Sequence, residues 1–287
     1  MQIQEADATA KKLRVAAASL GCKVNSYDTQ AMLGLFADRG YEIVPFEELA
    51  DIYIVNTCAV TNTGGKKSRQ MARRAAAANP GAVVVACGCQ TQAKPEEFAE
   101  MPGVDLVLGT WRSGIVDAVE EILAKRQEKP VVRVGDVLHD HAYEPIALGS
   151  ASALGSAGAF GRIRANLKVQ DGCGRFCAYC IIPYARGPSR SRDMEDAVNE
   201  AKSLAAQGLK EIVLAGIHLA SYGQDLYNSD LTGLILRLQE VAGIERIRLG
   251  SLEPGSISVP FLEALKMAPK VCGHFHLSLQ SGCDKTL

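Results

Sequence analysis

Cys173, Cys177 and Cys180 stand close together, separated by three and then two residues. Thiolate is the form of cysteine that ligates iron or zinc. A cubane iron–sulfur cluster takes four cysteines when every iron is held by protein. Three thiolates therefore leave one iron open. An open iron can chelate the amino and carboxylate groups of S-adenosylmethionine and pass one electron to its sulfonium, which breaks a C–S bond and yields a carbon radical. No side chain performs that chemistry alone. A zinc site is the competing reading, but it wants a fourth Cys or His nearby. The next cysteine is Cys272 and the nearest downstream histidine is His218. Gly172 and Gly174 flank Cys173 and suit close approach of backbone to a cofactor.

A second triplet is scattered. Cys22, Cys58 and Cys89 each follow a short apolar, β-branched run: before Cys22 in Leu20-Gly-Cys, before Cys58 in Val55-Asn-Thr-Cys, and before Cys89 in Ala86-Cys-Gly-Cys. Residues at the carboxyl ends of parallel strands gather at one sheet edge. Three unrelated core cysteines are the alternative, since free Cys is often buried. Gly216 to Gly223, containing His218, follows another apolar run and reads either as a cofactor loop or as a glycine-rich turn. Ser251 and Glu253 end the next run, where a carboxylate can bind the ammonium or ribose of a cofactor or simply cap a helix. Ser278 and Gln280 end the last one, with side chains suited to ribose or carboxylate. Cys272 and Cys283 fit no pattern.

These residues need strand ends to stand on. Strands are expected at Arg14–Leu20, Asp51–Val55, Ala82–Ala86 and Val104–Leu108, alternating with helices at Ser26–Arg39, Lys66–Ala78 and Gly114–Arg126. Alternation of this kind makes a doubly wound parallel sheet of the α/β class. Residues 139–160 break the pattern, being rich in Gly, Ala and Ser, and read as a flexible linker. Alternation resumes with strands at Ile163–Val169, Glu211–Ala215, Arg246–Leu249 and His274–Leu279, and helices at Met194–Gln207, Leu231–Val241 and Phe261–Met267. Four such units suggest part of a β/α barrel. The expected division is a domain at 1–138, the linker at 139–160 and an incomplete barrel domain at 161–287.

Bulk properties narrow the class. The 287 residues are 47% hydrophobic and 22% charged, with formal net charge -1. Such a chain folds around sizeable cores and is no general polyanion binder, so nucleic-acid contact requires local basic patches. Lys66, Lys67, Arg69, Arg73 and Arg74 recur along one expected helix, where a solvated face is the reading taken. Arg186, Arg190 and Arg192 abut the cysteine loop and read as phosphate or cofactor contacts. No secretory h-region or run of about 18 apolar residues is visible, so the expectation is a cytoplasmic protein without membrane contact. Nine cysteines in a reducing compartment point to metal or redox chemistry rather than disulfides.

The segment from Gln170 through Gly187, with Arg190-Ser-Arg192 beyond it, resembles the signature of the radical S-adenosylmethionine methylthiotransferases. The Asn-Thr-Cys58 and Gly-Cys89 pieces, with Cys22, resemble that family's N-terminal domain. The resemblance implies two [4Fe-4S] clusters, one on Cys173, Cys177 and Cys180 and an auxiliary one on Cys22, Cys58 and Cys89, with Cys87 outside the pattern. It implies that Tyr179 lies near the adenine of S-adenosyl-L-methionine and that Gly216 and His218 line the cofactor pocket. The reaction implied adds a methylthio group to C2 of an adenosine in tRNA, with hydrogen abstracted there by a deoxyadenosyl radical. Its partners are tRNA, a low-potential electron donor and a sulfur donor. Asp171, Ile181–Arg186 and Gly216–Tyr222 look most like the branch acting on threonylcarbamoyladenosine. Sister branches act on isopentenyladenosine in tRNA or on an aspartate of a ribosomal protein, and a non-catalytic iron–sulfur or zinc RNA-binding module is the alternative from another class. Family members are expected to continue past Leu287, completing the barrel and adding a small RNA-binding β-domain.

Overall fold

The computed structural model describes residues 12–148 and 164–286. The first of these stretches runs β1 (Arg14–Ser19), α1 (Lys23–Asp38), β2 (Glu42–Val44), β3 (Ile52–Thr57), α2 (Asn62–Ala78), β4 (Val83–Gly88), α3 (Cys89–Ala93), α4 (Glu96–Ala99), β5 (Leu106–Leu108), α5 (Ile115–Ala124) and β6 (Val131–Arg133). All strand pairs are parallel, in the order β2-β1-β3-β4-β5-β6. Side chains alternate between the two faces with period two. Ile52, Ile54, Val83 and Val85 pack with Phe36 of α1 and Ile122 of α5 on one face. Tyr53, Val55, Val84 and Ala86 pack with Ala72 and Ala75 of α2 and with Phe98 on the other. Every residue of β3 and β4 is consequently buried, as in a sheet covered by helices on both faces.

The second stretch runs β7 (Arg164–Lys168), β8 (Gln170–Asp171), α6 (Ile182–Arg186), β9 (Arg190–Ser191), α7 (Met194–Ala206), β10 (Glu211–Ala215), α8 (Leu231–Gln239), β11 (Arg246–Leu249) and α9 (Val259–Lys266), with 3-10 turns at Leu219–Ser221 and Pro254–Ser256. The strands β7, β10 and β11 pair in parallel with β10 in the centre. Their helices start where side-chain oxygens cap them: Asp193 accepts from the Asp196 amide at 3.0 Å and Ser258 from the Phe261 amide at 3.3 Å. A two-residue antiparallel ladder joins β8 to β9.

Several expectations need correction. Residues 274–279 do not form a strand. That region's one β-bridge is the isolated pair Leu252–Leu277, and a second isolated bridge, Ile247–Val271, lies just before it. Phe275, Leu277 and Leu279 stay exposed, and without an apolar cover the segment gains little from a regular ladder. The helix α1 begins at Lys23 rather than Ser26. The helix α2 begins at Asn62, because Thr61 accepts from the Gly64 amide and starts it one turn before Lys66. The three-residue strands β2 and β6 went unforeseen, being too short to show a period.

The linker reading also changes in part. Residues 139–148 pack rather than hang free: Ile146 and Leu148 are buried, Tyr143 donates to the Lys168 carbonyl at 3.1 Å, and Glu144 accepts from the Arg112 and Ser113 amides. Residues 149–160 lie outside the described residues. No helix among the described residues is long and apolar enough to cross a membrane.

Candidate metal centres and cofactor site

The strands β1, β3 and β4 are neighbours, and Cys22, Cys58 and Cys89 follow directly from their carboxyl ends. Side-chain hydrogen bonds hold the three ends together. Asn25 Nδ2 donates to the carbonyls of Leu20 and Thr57, both at 2.8 Å. Thr57 Oγ1 donates to the Cys87 carbonyl at 2.7 Å and accepts from the Gln90 amide at 3.1 Å. Gly21 lies so close to Cys58 that a Cβ there would sit 2.8 Å from its Sγ. Cys58 and Cys89 are buried and Cys22 is exposed. Cys22 opens onto a cleft of about 760 Å³ between the two halves of the chain, which Arg164, Arg248, His274 and His276 also line.

Cys87 and Cys89 sit in different surroundings. Cys87 belongs to β4, with its Sγ in the sheet core 4.0 Å from Met32 Sδ. Burial pushes its thiol up to about 12. Burial raises the Cys89 thiol too, but Arg186 opposes this from beside the sulfur: its Nε donates to Cys89 Sγ at 3.2 Å.

Arg186 belongs to a buried network that joins the halves. Its Nη1 donates to both Asp171 oxygens at 2.8 Å, and its Nη2 to Asn25 Oδ1 at 2.5 Å and Asp28 Oδ2 at 3.1 Å. Lys168 Nζ lies 2.8 Å from Asp28 and 2.6 Å from Asp171. Arg112 Nη1 lies 3.1 Å from Asp28 and 4.0 Å from Glu144. Burial alone would raise the Asp171 carboxyl. Arg186 and Lys168 outweigh it and hold the group well below the ordinary carboxylate range. Charges this deep persist only when paired and hydrogen-bonded. Beside this network, Arg192 pairs with Glu200, and Tyr27 donates to the same carboxylate at 2.9 Å.

This arrangement overturns the reading of the second basic group. Arg186, Arg190 and Arg192 are 0%, 5% and 2% exposed and serve the interface between halves rather than phosphate. Nothing in the spacing of Arg186, Arg190 and Arg192 reveals this. The acidic partners Asp28 and Glu200 lie 158 and 8 residues away. Asp28, Lys168 and Asn25 went unrecognised for the same reason. Conversely, Lys66, Lys67, Arg73 and Arg74 are exposed, and only Arg69 of that helix is ion-paired among the described residues, 2.7 Å from Glu97.

The loop after β8 carries the other triplet. Gly172 has φ +69°, and a Cβ there would sit 1.8 Å from the Pro188 carbonyl oxygen. Gly172 thus serves the close approach of the chain's own backbone rather than of a cofactor, while Gly174 faces open space. The Cys173 amide donates to Gly187 O at 3.0 Å, and the Cys180 amide to Cys177 O at 2.9 Å. Burial raises the Cys173 thiol; the adjacent Cys180 and Cys177 sulfurs add to this, partly offset by the Arg175 amide. Tyr179 projects from the loop, 73% exposed.

Other expected residues converge on this loop. Glu253 lies 3.4 Å from Arg175 and 2.9 Å from His218 Nε2. The His218 amide donates to Gln170 Oε1 at 2.8 Å, and Gly216 packs against the same Gln170 side chain. Ser251 pairs instead with His276, at 2.7 Å. Ser278 donates its amide to the Leu252 carbonyl at 2.8 Å, and Gln280 is exposed; neither side chain has a hydrogen bond among the described residues.

Each triplet offers three free thiols, the donor type that holds iron–sulfur clusters. Among the described residues, no three His, Cys, Asp or Glu side chains converge closely enough to hold one metal ion. A cubane spreads its irons over separate corners and accepts sulfurs that surround it at wider spacing. The Cys22 sulfur lies near enough to Cys89 to raise that thiol, and the Cys180 and Cys177 sulfurs do the same to Cys173.

Residues 14–109 match the family described as Uncharacterized protein family UPF0004, and residues 167–287 match the Radical SAM superfamily. The chain is 42% identical over 275 residues to the threonylcarbamoyladenosine tRNA methylthiotransferase MtaB of Bacillus subtilis, covering 95% of this chain and 59% of that protein. It is 41% identical over 277 residues to the protein of the same name from Aquifex aeolicus, covering 96% and 65%. The chain thus spans roughly three-fifths of the length of these relatives. Among solved structures, the radical S-adenosylmethionine methyltransferase TsrM from Kitasatospora setae, bound to tryptophan and a cofactor analogue, matches with TM-score 0.59 at 17% identity, over 90% of this chain and 58% of that one. At that identity the likeness is one of fold.

Proposed function

We propose, from the premise that this chain belongs to the radical S-adenosylmethionine methylthiotransferases, that it forms the catalytic body of an enzyme adding a methylthio group to C2 of threonylcarbamoyladenosine in tRNA. In this reading Cys173, Cys177 and Cys180 hold one [4Fe-4S] cluster, and Cys22, Cys58 and Cys89 hold a second. The observation that carries the two-cluster reading is the placement of the second triplet at three adjacent strand ends, open through Cys22 to the cleft between halves. When bound, a three-cysteine cluster supplies one electron through its open iron to the sulfonium of S-adenosylmethionine.

The chain's own residues provide the rest. Tyr179 offers an exposed ring beside Cys180 for stacking on an adenine. Glu253 stands where a carboxylate can accept hydrogen bonds from the cofactor's ammonium or ribose, steadied by His218 and Arg175. The buried network around Arg186 and Asp171 fixes the two cysteine triplets relative to each other, because Arg186 touches Cys89 and Asp171 lies two residues from Cys173. Cys22 faces the cleft, which supports the reading that a nucleoside meets the second triplet there.

The test combines metal content with product. Anaerobic reconstitution yields about eight irons per chain for two cubanes and about four for one. Cys173→Ala abolishes deoxyadenosine formation under reducing conditions while keeping the iron of the second triplet. Deoxyadenosine formed at the wild-type rate by that variant sinks the assignment. Mass analysis of nucleosides from tRNA, set against ribosomal protein as substrate, separates the tRNA reaction from its protein-modifying relative.

A further inference from the structure

Helix α2 carries a stripe that the chemistry above leaves unused. Successive residues turn 100° around a helix, which puts Lys66, Lys67, Gln70, Arg73 and Arg74 within an arc of roughly 120°. All five are exposed. The opposite side, with Gly65, Ser68, Ala72 and Ala75, is buried against the sheet. The helix contains no acidic residue. Among the described residues, none of Lys66, Lys67, Arg73 and Arg74 has a carboxylate within ion-pair distance, whereas Arg69 at the margin is paired with Glu97. The charge is therefore uncompensated in a chain whose formal net charge is -1. An ordinary solvated face intersperses both signs; this one does not.

The stripe also has a fixed relation to the second cysteine triplet. Ser68 Oγ accepts from the Cys58 amide at 3.2 Å, and a Cβ on Gly64 would sit 3.3 Å from Cys58 Sγ. Lys66 and Lys67 thus begin within one helical turn of Cys58. From there the stripe runs about 12 Å to Arg74 at 1.5 Å per residue. Cations at such intervals match a chain of phosphates, each met by one side chain.

We propose that the exposed face of α2 is a docking track for the phosphate backbone of the RNA substrate, leading it toward the second cysteine triplet, whose Cys22 opens onto the cleft between the halves. The proposal rests on the tRNA reading and adds the surface that engages the RNA. It reverses the order expected from sequence, in which Arg186, Arg190 and Arg192 were the phosphate contacts.

The test measures binding of a fluorescent RNA hairpin of anticodon-arm size to the whole reconstituted chain by anisotropy, across a series of salt concentrations. Each phosphate contact contributes about 0.7 to 0.9 to the slope of log K against log salt. The variant Lys66→Gln/Lys67→Gln/Arg73→Gln/Arg74→Gln is expected to flatten that slope by two to three, on the order of 0.7 per lost contact, and to weaken binding at least tenfold near 0.1 M salt. Iron content and circular dichroism stay at wild-type values, since all four side chains are exposed. Lys202→Gln/Lys266→Gln, on exposed faces of α7 and α9, leaves both slope and affinity unchanged. An unchanged slope in the fourfold variant overturns the proposal. So does competition by polyglutamate as effective as that of unlabelled hairpin, which would mark the face as a protein-binding one. Absence of hairpin binding by the wild-type chain also overturns it, and deoxyadenosine formation then still judges the catalytic reading separately.

Discussion

Replacing Arg186 with Met removes one cation from a closed account of buried charge, and its cost follows from the partners left behind. Three cations, Arg112, Lys168 and Arg186, face three carboxylates, Asp28, Asp171 and Glu144. Arg186 itself is fully buried. Its loss strands one negative charge, and Asp171, held well below the ordinary carboxylate range, does not escape by protonating near neutral pH. Removing one partner of a buried pair costs about 3 to 5 kcal/mol. Lys168 remains 2.6 Å from Asp171, which places the cost near the lower end, about 3 kcal/mol. At 2 to 4 °C per kcal/mol for chains of this size, the thermal midpoint falls by roughly 6 to 12 °C. The assay is thermal unfolding of the cluster-free chain under reducing conditions at pH 7, followed by circular dichroism. The midpoint is the quantity compared, because a chain with more than one core need not unfold in two states. Arg186→Met/Asp171→Asn restores the charge balance and is expected to recover at least a third of the loss, as coupled neighbours do. A shift under about 2 °C for Arg186→Met, or a double variant no more stable than the single, refutes the account.

Three further outcomes follow from the geometry. Burial raises the Glu211 carboxyl, but hydrogen bonds from Arg246 and Arg248 outweigh it and hold the group below its ordinary value. The stability it adds is therefore present above the unfolded carboxyl pKa of about 4.3 and lost as pH falls through the lower folded value; Glu211→Gln should be less stable than wild type at pH 7 and converge with it below about pH 4 in urea titrations, and a constant gap would contradict this. Cys87→Ala is expected to keep all reconstituted iron while Cys89→Ala loses about half; the reverse pattern in an elemental assay would exchange their roles. Gly172→Ala places a Cβ on the Pro188 carbonyl at a left-handed φ, so the Cys173 loop must shift, and reduced iron retention with a lower thermal midpoint is expected; an alanine variant equal to wild type in both would show that the loop yields freely.

Periodicity exposes long elements and conceals short ones. The strands later seen as β3 and β4 were legible because both faces are covered and nearly every residue is apolar or β-branched. That pattern located Cys58 and Cys89 at strand ends, and parallel topology did the rest by making β1, β3 and β4 neighbours. The region 274–279 shows where the same logic fails. Its alternation of Phe275, Leu277 and Leu279 with polar residues is strand-like, but a strand also needs a partner along its length and a cover on its apolar face. Here a bridge forms at one point, Leu277, and the three apolar side chains remain exposed. Gly172 misled in a different way. A glycine beside a cysteine motif suggests room for a ligand, yet the atom that demands the absence of a side chain is the Pro188 oxygen sixteen residues on.

The basic residues make the sharpest case for what spacing alone leaves open. Arg186, Arg190 and Arg192 adjoin the Cys173 loop, and proximity to chemistry is a sound reason to expect phosphate contact. Their fate is decided instead by acids the chain delivers from elsewhere: Asp28 from α1, Asp140 from the segment after β6, and Glu200 from α7. Arg186 commits its Nε, Nη1 and Nη2 to Cys89, Asp171, Asn25 and Asp28, and Arg190 and Arg192 are buried beside their acids. Four cations of α2, Lys66, Lys67, Arg73 and Arg74, meet no such acids among the described residues; only Arg69 reaches one, Glu97. Whether an arginine serves folding or binding thus depends on which carboxylates the tertiary structure carries to it. For Asp28 and Asp140 that information sits 158 and 50 residues away, where neither motif nor period can report it.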